Sequence, residues 1–182
     1  MIVLASSSPR RAKLLQDAGL DFIVVPSHID EIVDEKYKPS ELVMEIAKQK
    51  ALNVATKYPN DTIVGADTIV VYEEHILGKP KDEEDAYRML KLLSDDRHIV
   101  YTAVALVKGD KIKTFVSETE VWMKNLSDLE IWNYIKTGEP MDKAGAYGIQ
   151  GEGGSLVDHY KGDFFTIVGL PLKDVLEQLK DF

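Results

Sequence analysis

Short apolar runs alternate with amphipathic stretches along this chain, and that alternation points to an α/β fold. Ile2–Ala5 reads as a buried first strand. Ser8-Pro9 then supplies an N-cap and a proline at the first helical position, Ala12, Leu14, Leu15 and Ala18 give the helical face, and Gly19 stops it. Phe22–Val25 reads as a second strand, followed by an acidic loop up to Pro39. From Ser40 to about Tyr58, Leu42, Ile46, Ala47, Leu52 and Val54 recur at helical spacing. Thr62–Tyr72 is strand-like, Glu73-Glu74 is a hairpin turn into His75–Leu77, and Asp82 caps a helix through Leu93.

His98–Val107 and Lys111–Met123 form two long β-rich runs joined by Lys108-Gly109-Asp110, a hairpin by its turn chemistry. Ser127-Asp128-Leu129-Glu130 is a capping box opening a helix that ends at Gly138. Eight of the 12 glycines then fall between Gly138 and Gly169, which predicts a shaped loop region containing strand-like Ser155–Asp158 and Phe164–Val168. Pro171 begins a short C-terminal helix.

At 182 residues and 45% hydrophobic, the chain can bury one sizeable core, as one domain or as two lobes sharing it. There is no repeat, no low-complexity tract and no clean domain boundary. The formal charge is −9, which argues against non-specific binding to nucleic acid or to an anionic membrane. A locally basic pocket for a small anionic substrate is still compatible with that total. With no cysteine, disulfides, thiolate metal sites and thiol nucleophiles are excluded. No apolar stretch approaches a membrane span, and no signal peptide is visible, so the expectation is a soluble cytoplasmic protein.

Four segments carry candidate chemistry. Ser6-Ser7-Ser8-Pro9-Arg10-Arg11 lies between a strand and a helix N-terminus, where free N–H groups, hydroxyls and two guanidinium forks suit a phosphate. A plain N-cap followed by a solvated basic turn explains the same six residues equally well. Asp67, inside Thr62-Ile63-Val64-Gly65-Ala66-Asp67-Thr68-Ile69-Val70-Val71, is a carboxylate in the middle of an apolar run. Burying it alone would cost several kcal/mol, so it should meet a cation, a metal or strong donors unless a turn breaks the strand there.

The third candidate is a set of lysines. Gly78-Lys79-Pro80 fixes one in a rigid turn, while Lys48 and Lys50 lie on a predicted helix where a solvated face is the plain alternative. The acidic stretch Asp30-Glu31 and Asp34-Glu35 could add a Mg²⁺ ligand or be simply an acidic loop. Fourth is Gly138 through Gly151. There the glycines, the Asp142-Lys143 pair, Tyr147 and Gln150 fit either backbone close to a ligand, with Tyr147 or Gln150 on a base, or an irregular turn region. No Walker A, no G-x-G-x-x-G after the first strand and no G-x-S-x-G elbow is present. His28, His75, His98 and His159 show no metal-ligand spacing.

Taken in order, these fragments resemble the Maf family of nucleotide pyrophosphatases, long labelled septum-formation inhibitors. The resemblance rests on Leu4 through Arg11, Asp30-Glu31, Ala47-Lys48-Gln49-Lys50-Ala51, Gly65-Ala66-Asp67-Thr68, Gly78-Lys79-Pro80, Gly138 through Gly151, and Val168-Gly169-Leu170-Pro171-Leu172. It covers essentially the whole chain, residues 1–182, as a single Maf-like domain. It implies an α/β fold like that of inosine triphosphate pyrophosphatases (the Maf/Ham1 type): a mixed elongated central sheet flanked by helices, with two lobes and a cleft. The implied activity is Mg²⁺-dependent hydrolysis of a nucleoside triphosphate to the monophosphate and pyrophosphate.

Asp67-Thr68 and the Asp142–Gly151 loop look like the branch acting on dTTP and UTP. The branch acting on 7-methyl-GTP carries Ser-Asp-Gln at the first site and a cysteine-containing loop at the second. Joined with the reading of the residues, the resemblance leads to Asp67 as either proton acceptor or metal ligand, Glu31 as a metal ligand, and Lys50 and Lys79 as catalytic cations. Ser8, Arg10 and Arg11 fall to the triphosphate, while Arg11, Thr68 and Gln150 match positions that set base preference. Mn²⁺ or Co²⁺ are alternatives to Mg²⁺, and a homodimer is suggested. The competing readings are a 7-methyl-GTP pyrophosphatase and a non-enzymatic septum-formation module.

Overall fold

The computed structural model describes residues 1–30 and 36–182. Among the described residues, seven strands form one mixed sheet in the order β2-β1-β3-β5-β6-β7, with β4 paired to β3 off that path. The strands are β1 (Ile2–Leu4), β2 (Phe22–Val24), β3 (Thr62–Tyr72), β4 (His75–Leu77), β5 (Arg97–Lys108), β6 (Lys111–Met123) and β7 (Val157–Lys161). The helices are α1 (Pro9–Asp17), α2 (Pro39–Ala55), α3 (Glu83–Leu93), α4 (Asp128–Ile135), α5 (Phe164–Val168) and α6 (Leu172–Lys180). The alternation predicts the α/β class, and the mixed sheet flanked by helices is the one that the family resemblance implies.

The chain divides into two compact units, Met1–Thr68 with Thr102–Ser117 and Gly169–Phe182, and Ile69–Tyr101 with Glu118–Val168. In the first, β1 runs parallel to both β2 and β3, with Val3 opposite Ile23 and Ile63. Parallel strands covered on both faces read as continuous apolar runs, and Val3, Leu4, Ile63 and Val64 are all fully buried. Ser8 caps α1 by accepting the Arg11 N–H, and Gly19 takes φ 80° just past the helix end, as the sequence predicts. Along α2, Leu42, Val43, Ile46, Ala47, Ala51 and Val54 make the buried face.

The second unit has its own apolar core, with Leu90 and Leu93 of α3, Ile131 and Ile135 of α4, Val100 of β5 and Val121 of β6. Glu73 sits at φ 53° in the tight turn between β3 and β4, where Tyr72 pairs with His75.

Two expectations need correcting here. Phe164–Val168 is the helix α5, not a strand. The Asp163 carboxylate accepts the Phe165 N–H at 2.8 Å and its carbonyl accepts the Thr166 N–H at 3.2 Å, so a local cap overrides the β-preference of the apolar run. The strand placed at Ser155–Asp158 begins later, at Val157, because Glu152–Leu156 forms a 3₁₀ turn.

Candidate active site

Asp67 lies inside unbroken β3 and is only 8% exposed. The turn alternative is therefore excluded, and the partner is a cation: Lys50 Nζ stands 2.8 Å from Asp67 Oδ1. Two sequence features bring the lysine there. Lys50 sits three residues after Ala47 and four after Ile46, so it shares their face of α2. Gly65 shares the Asp67 face of β3, two residues earlier, and a Cβ built on it would stand 2.6 Å from the Ala47 carbonyl and 2.8 Å from the Ala51 Cβ. Only glycine lets the helix backbone come this close. Lys48 points elsewhere, pairing with Glu45 at 3.5 Å on the half-exposed side of the helix, so for Lys48 the solvated-face reading holds.

Thr68 follows Asp67 and takes a different set of partners, as successive strand residues do. Its Oγ1 accepts from Arg11 Nη2 at 3.0 Å and lies 2.8 Å from Thr102 Oγ1 of β5. The Arg11 fork is held at two further points: Nη1 donates to Ser6 Oγ at 3.1 Å, and Nε donates to the Gly169 carbonyl at 2.7 Å. Ser6 Oγ also accepts the Ser8 N–H at 3.2 Å, tying the loop before α1 to the same cluster. Ser6, Ser8, Arg11 and Thr68 thus form one hydrogen-bonded cluster, and the Lys50–Asp67 pair lies in the same unit, where Arg10 is half-exposed on the first turn of α1.

Three members of this cluster escape the sequence reading as separate site residues. In the sequence Ser6 is one hydroxyl in a run of three, yet it is 6% exposed and accepts twice. Thr102 is a lone hydroxyl in an apolar strand, completely buried, but a threonine raises less suspicion than a carboxylate because its hydroxyl can bond its own backbone. Gly169 takes φ 128°, a conformation no sequence pattern announces, and so turns its carbonyl onto Arg11.

Lys79 and Gln150 belong to the second unit, and both are exposed. The turn carrying Lys79 is bonded to the glycine-rich loop, since the Gly145 N–H donates to the Gly78 carbonyl at 3.1 Å. Around Gln150, the loop is organised by Glu139. Its carboxylate accepts from Tyr134 Oη at 2.8 Å and from the Glu152 and Gly153 N–H groups at 3.1 and 3.2 Å. Burial works to raise the Glu139 carboxyl, but those three donors and nearby Lys143 carry it below the ordinary carboxylate range. A Cβ on Gly151 would collide with that carboxylate, which explains the glycine.

Tyr147 is not a platform for a base. It is buried, and its hydroxyl lies 2.6 Å from His98 Nε2, so its ring belongs to the core. Glu31, Asp34 and Glu35 lie outside the described residues, while Asp30 is exposed. Among the described residues no three His, Asp or Glu side chains gather as a metal cluster. Mg²⁺ needs no such cluster when it keeps several waters and takes oxygens from substrate phosphates, and one or two protein carboxylates then suffice. Asp67 fits that lean donor set.

The family model described as Maf-like protein matches residues 1–182. The chain belongs to the Maf family. Its relatives include the dTTP/UTP pyrophosphatase of a Geobacillus species, 49% identical over 98% of this chain and 96% of the relative. The dTTP/UTP pyrophosphatase of Acholeplasma laidlawii is 52% identical over 100% of this chain and 96% of its own. That of a Thermoanaerobacter species is 51% identical, covering 98% and 95%. Among solved structures, a nucleoside-triphosphatase / dITP/XTP pyrophosphatase from Mycobacterium abscessus is similar at a TM-score of 0.45 and 16% identity, over 69% of this chain and 75% of that one. Among the described residues, no helix of this Maf-like protein is long and apolar enough to cross a membrane.

Proposed function

We propose that this protein is a nucleoside triphosphate pyrophosphatase that hydrolyses dTTP and UTP to the monophosphate and pyrophosphate. The observation that carries the reading is the ion pair that Lys50 of α2 makes with Asp67, a carboxylate buried in the middle of β3. It stands in a chain about half identical, over its full length, to relatives named for this activity.

In the proposed mechanism, Asp67 takes the proton of a water that attacks the α-phosphorus. The bond from that phosphorus to the bridging oxygen breaks, and pyrophosphate leaves with the electron pair. Lys50 fixes the direction of the Asp67 carboxylate and adds positive charge beside the reacting group. The N-terminus of α1, with Ser8 and Arg10, offers N–H groups and charge to the triphosphate, and Lys79 adds a further phosphate contact. Thr68, held by Arg11, and Gln150 read the base. Asp67 with Glu31 would hold Mg²⁺, or Mn²⁺ or Co²⁺ in its place, and the bound metal would offset phosphate charge during attack.

The test is Asp67→Asn. Pyrophosphate release from dTTP should fall to background while a non-hydrolysable dTTP analogue still binds within severalfold of the parent. Loss of analogue and metal binding together would make holding the metal, and not taking the proton, the part Asp67 plays, and retained turnover would overturn its role altogether.

A further inference from the structure

Thr68 Oγ1 has one proton and two lone pairs. A guanidinium only donates, so the contact from Arg11 Nη2 at 3.0 Å occupies one lone pair. Thr102 Oγ1, 2.8 Å away, occupies either the second lone pair or the proton. Whichever it takes, Thr68 is left with one polarity for a third partner, and the direction of the Thr68–Thr102 bond sets which. Thr102 itself is completely buried on β5, so its hydroxyl is no solvent-facing rotor.

We propose that Thr102 is a specificity-determining residue that acts through Thr68, fixing the polarity with which that hydroxyl meets the pyrimidine edge. This inference rests on the dTTP/UTP pyrophosphatase reading. Thymine and uracil present a carbonyl oxygen at position 4 and an N–H at position 3, and cytosine presents an amino group and a lone pair at the same places. A fixed donor therefore suits the 4-oxygen and meets the wrong group on cytosine. A fixed acceptor suits the 3-N–H and again fails on cytosine. A hydroxyl released from Thr102 turns to suit either base. Thr102 does not touch the substrate in this scheme; it is a positioning residue.

The experiment measures kcat/KM for UTP and CTP with Mg²⁺ in the parent protein, Thr102→Val and Thr102→Ser. Valine keeps the shape and removes the hydroxyl, whereas serine keeps the hydroxyl and removes the methyl. The preference for UTP over CTP should fall about tenfold in Thr102→Val, the scale of one hydrogen bond, mainly through faster CTP turnover. Thr102→Ser should keep the parent ratio within about twofold. Combining Thr102→Val with Thr68→Val should change the ratio no further than Thr68→Val alone, as expected of residues acting in series.

An unchanged ratio in folded Thr102→Val overturns the inference, as does an equal loss in Thr102→Ser, which would trace the effect to packing. If Thr102→Val does not fold, Thr102→Ala is read by the same ratio. A parent protein that hydrolyses UTP and CTP alike overturns this inference and the base preference, and leaves the triphosphate-to-monophosphate chemistry standing. A parent silent on every triphosphate overturns both.

Discussion

Lys50 Nζ stands 2.8 Å from Asp67 Oδ1, with the two side chains only 17% and 11% exposed. Helix packing sets that distance. Gly65 lets the Ala47–Ala51 turn of α2 lie against β3, and the lysine one turn along then reaches the carboxylate two residues along.

Gly65→Ala should therefore act at a distance. The new methyl would meet the Ala47 carbonyl at 2.6 Å, so α2 must move outward. The expected cost is about 1–3 kcal/mol of stability, typical of overpacking. Pyrophosphate release should fall with it as the Lys50–Asp67 pair opens. Denaturant unfolding and activity, measured side by side, check both parts. Activity unchanged in a destabilised variant would uncouple the helix position from the site.

Removing one member of the pair should be worse than removing both. Lys50→Met leaves a largely buried carboxylate without this cation and should cost about 3 kcal/mol. Adding Asp67→Asn to it should return part of that loss. Urea unfolding of both single variants and the double variant checks the sign of the coupling, and simple additivity would contradict it.

Arg11→Lys tests the fork. One ammonium cannot reproduce the contacts to Ser6, Thr68 and the Gly169 carbonyl from a single point. The expected outcome is a stability loss of about 1–2 kcal/mol together with a weakened preference for dTTP over other triphosphates. Unfolding midpoints and a substrate ratio measure the two separately, and a parent-like ratio would remove Arg11 from base selection.

Most of the first unit was legible. The Ser8 cap, Pro9 and Gly19 bound α1 as local chemistry requires, and Asp67 stands out because an apolar run cannot hide a lone carboxylate. What was illegible is tertiary. Nothing local separates Lys50 from Lys48; the register of α2 against Gly65 does so. Composition leaves the glycine-rich loop open between backbone near a ligand and an irregular turn region, and only the folded chain shows that several of its glycines make room for Glu139, Tyr134 and Lys143. Tyr147, which the loop composition offers as a partner for a base, is a core residue bonded to His98. Phe164–Val168 carried strand preferences that the Asp163 cap overrode.

His98 predicts a pH dependence of stability. Burial lowers its pKa from 6.5 to about 4, so the folded chain keeps it neutral where the unfolded chain protonates it. The stability this contributes is fully present above about pH 6.5 and is lost as pH falls towards about 4. Its size is about 3 kcal/mol over that window. His98→Gln should flatten this part of the stability–pH curve, as read by urea midpoints between pH 7 and pH 4. An equally steep curve in the variant would assign the acid lability to other groups.

The central claim is the reaction and its base preference. Pyrophosphate release with Mg²⁺ across dTTP, UTP, CTP, ATP, GTP and 7-methyl-GTP tests it most directly. The account predicts clear preference for dTTP and UTP. Preference for 7-methyl-GTP would keep the chemistry and contradict the roles given to Thr68 and Gln150, and silence across the panel from folded, metal-supplied protein would contradict the enzyme itself.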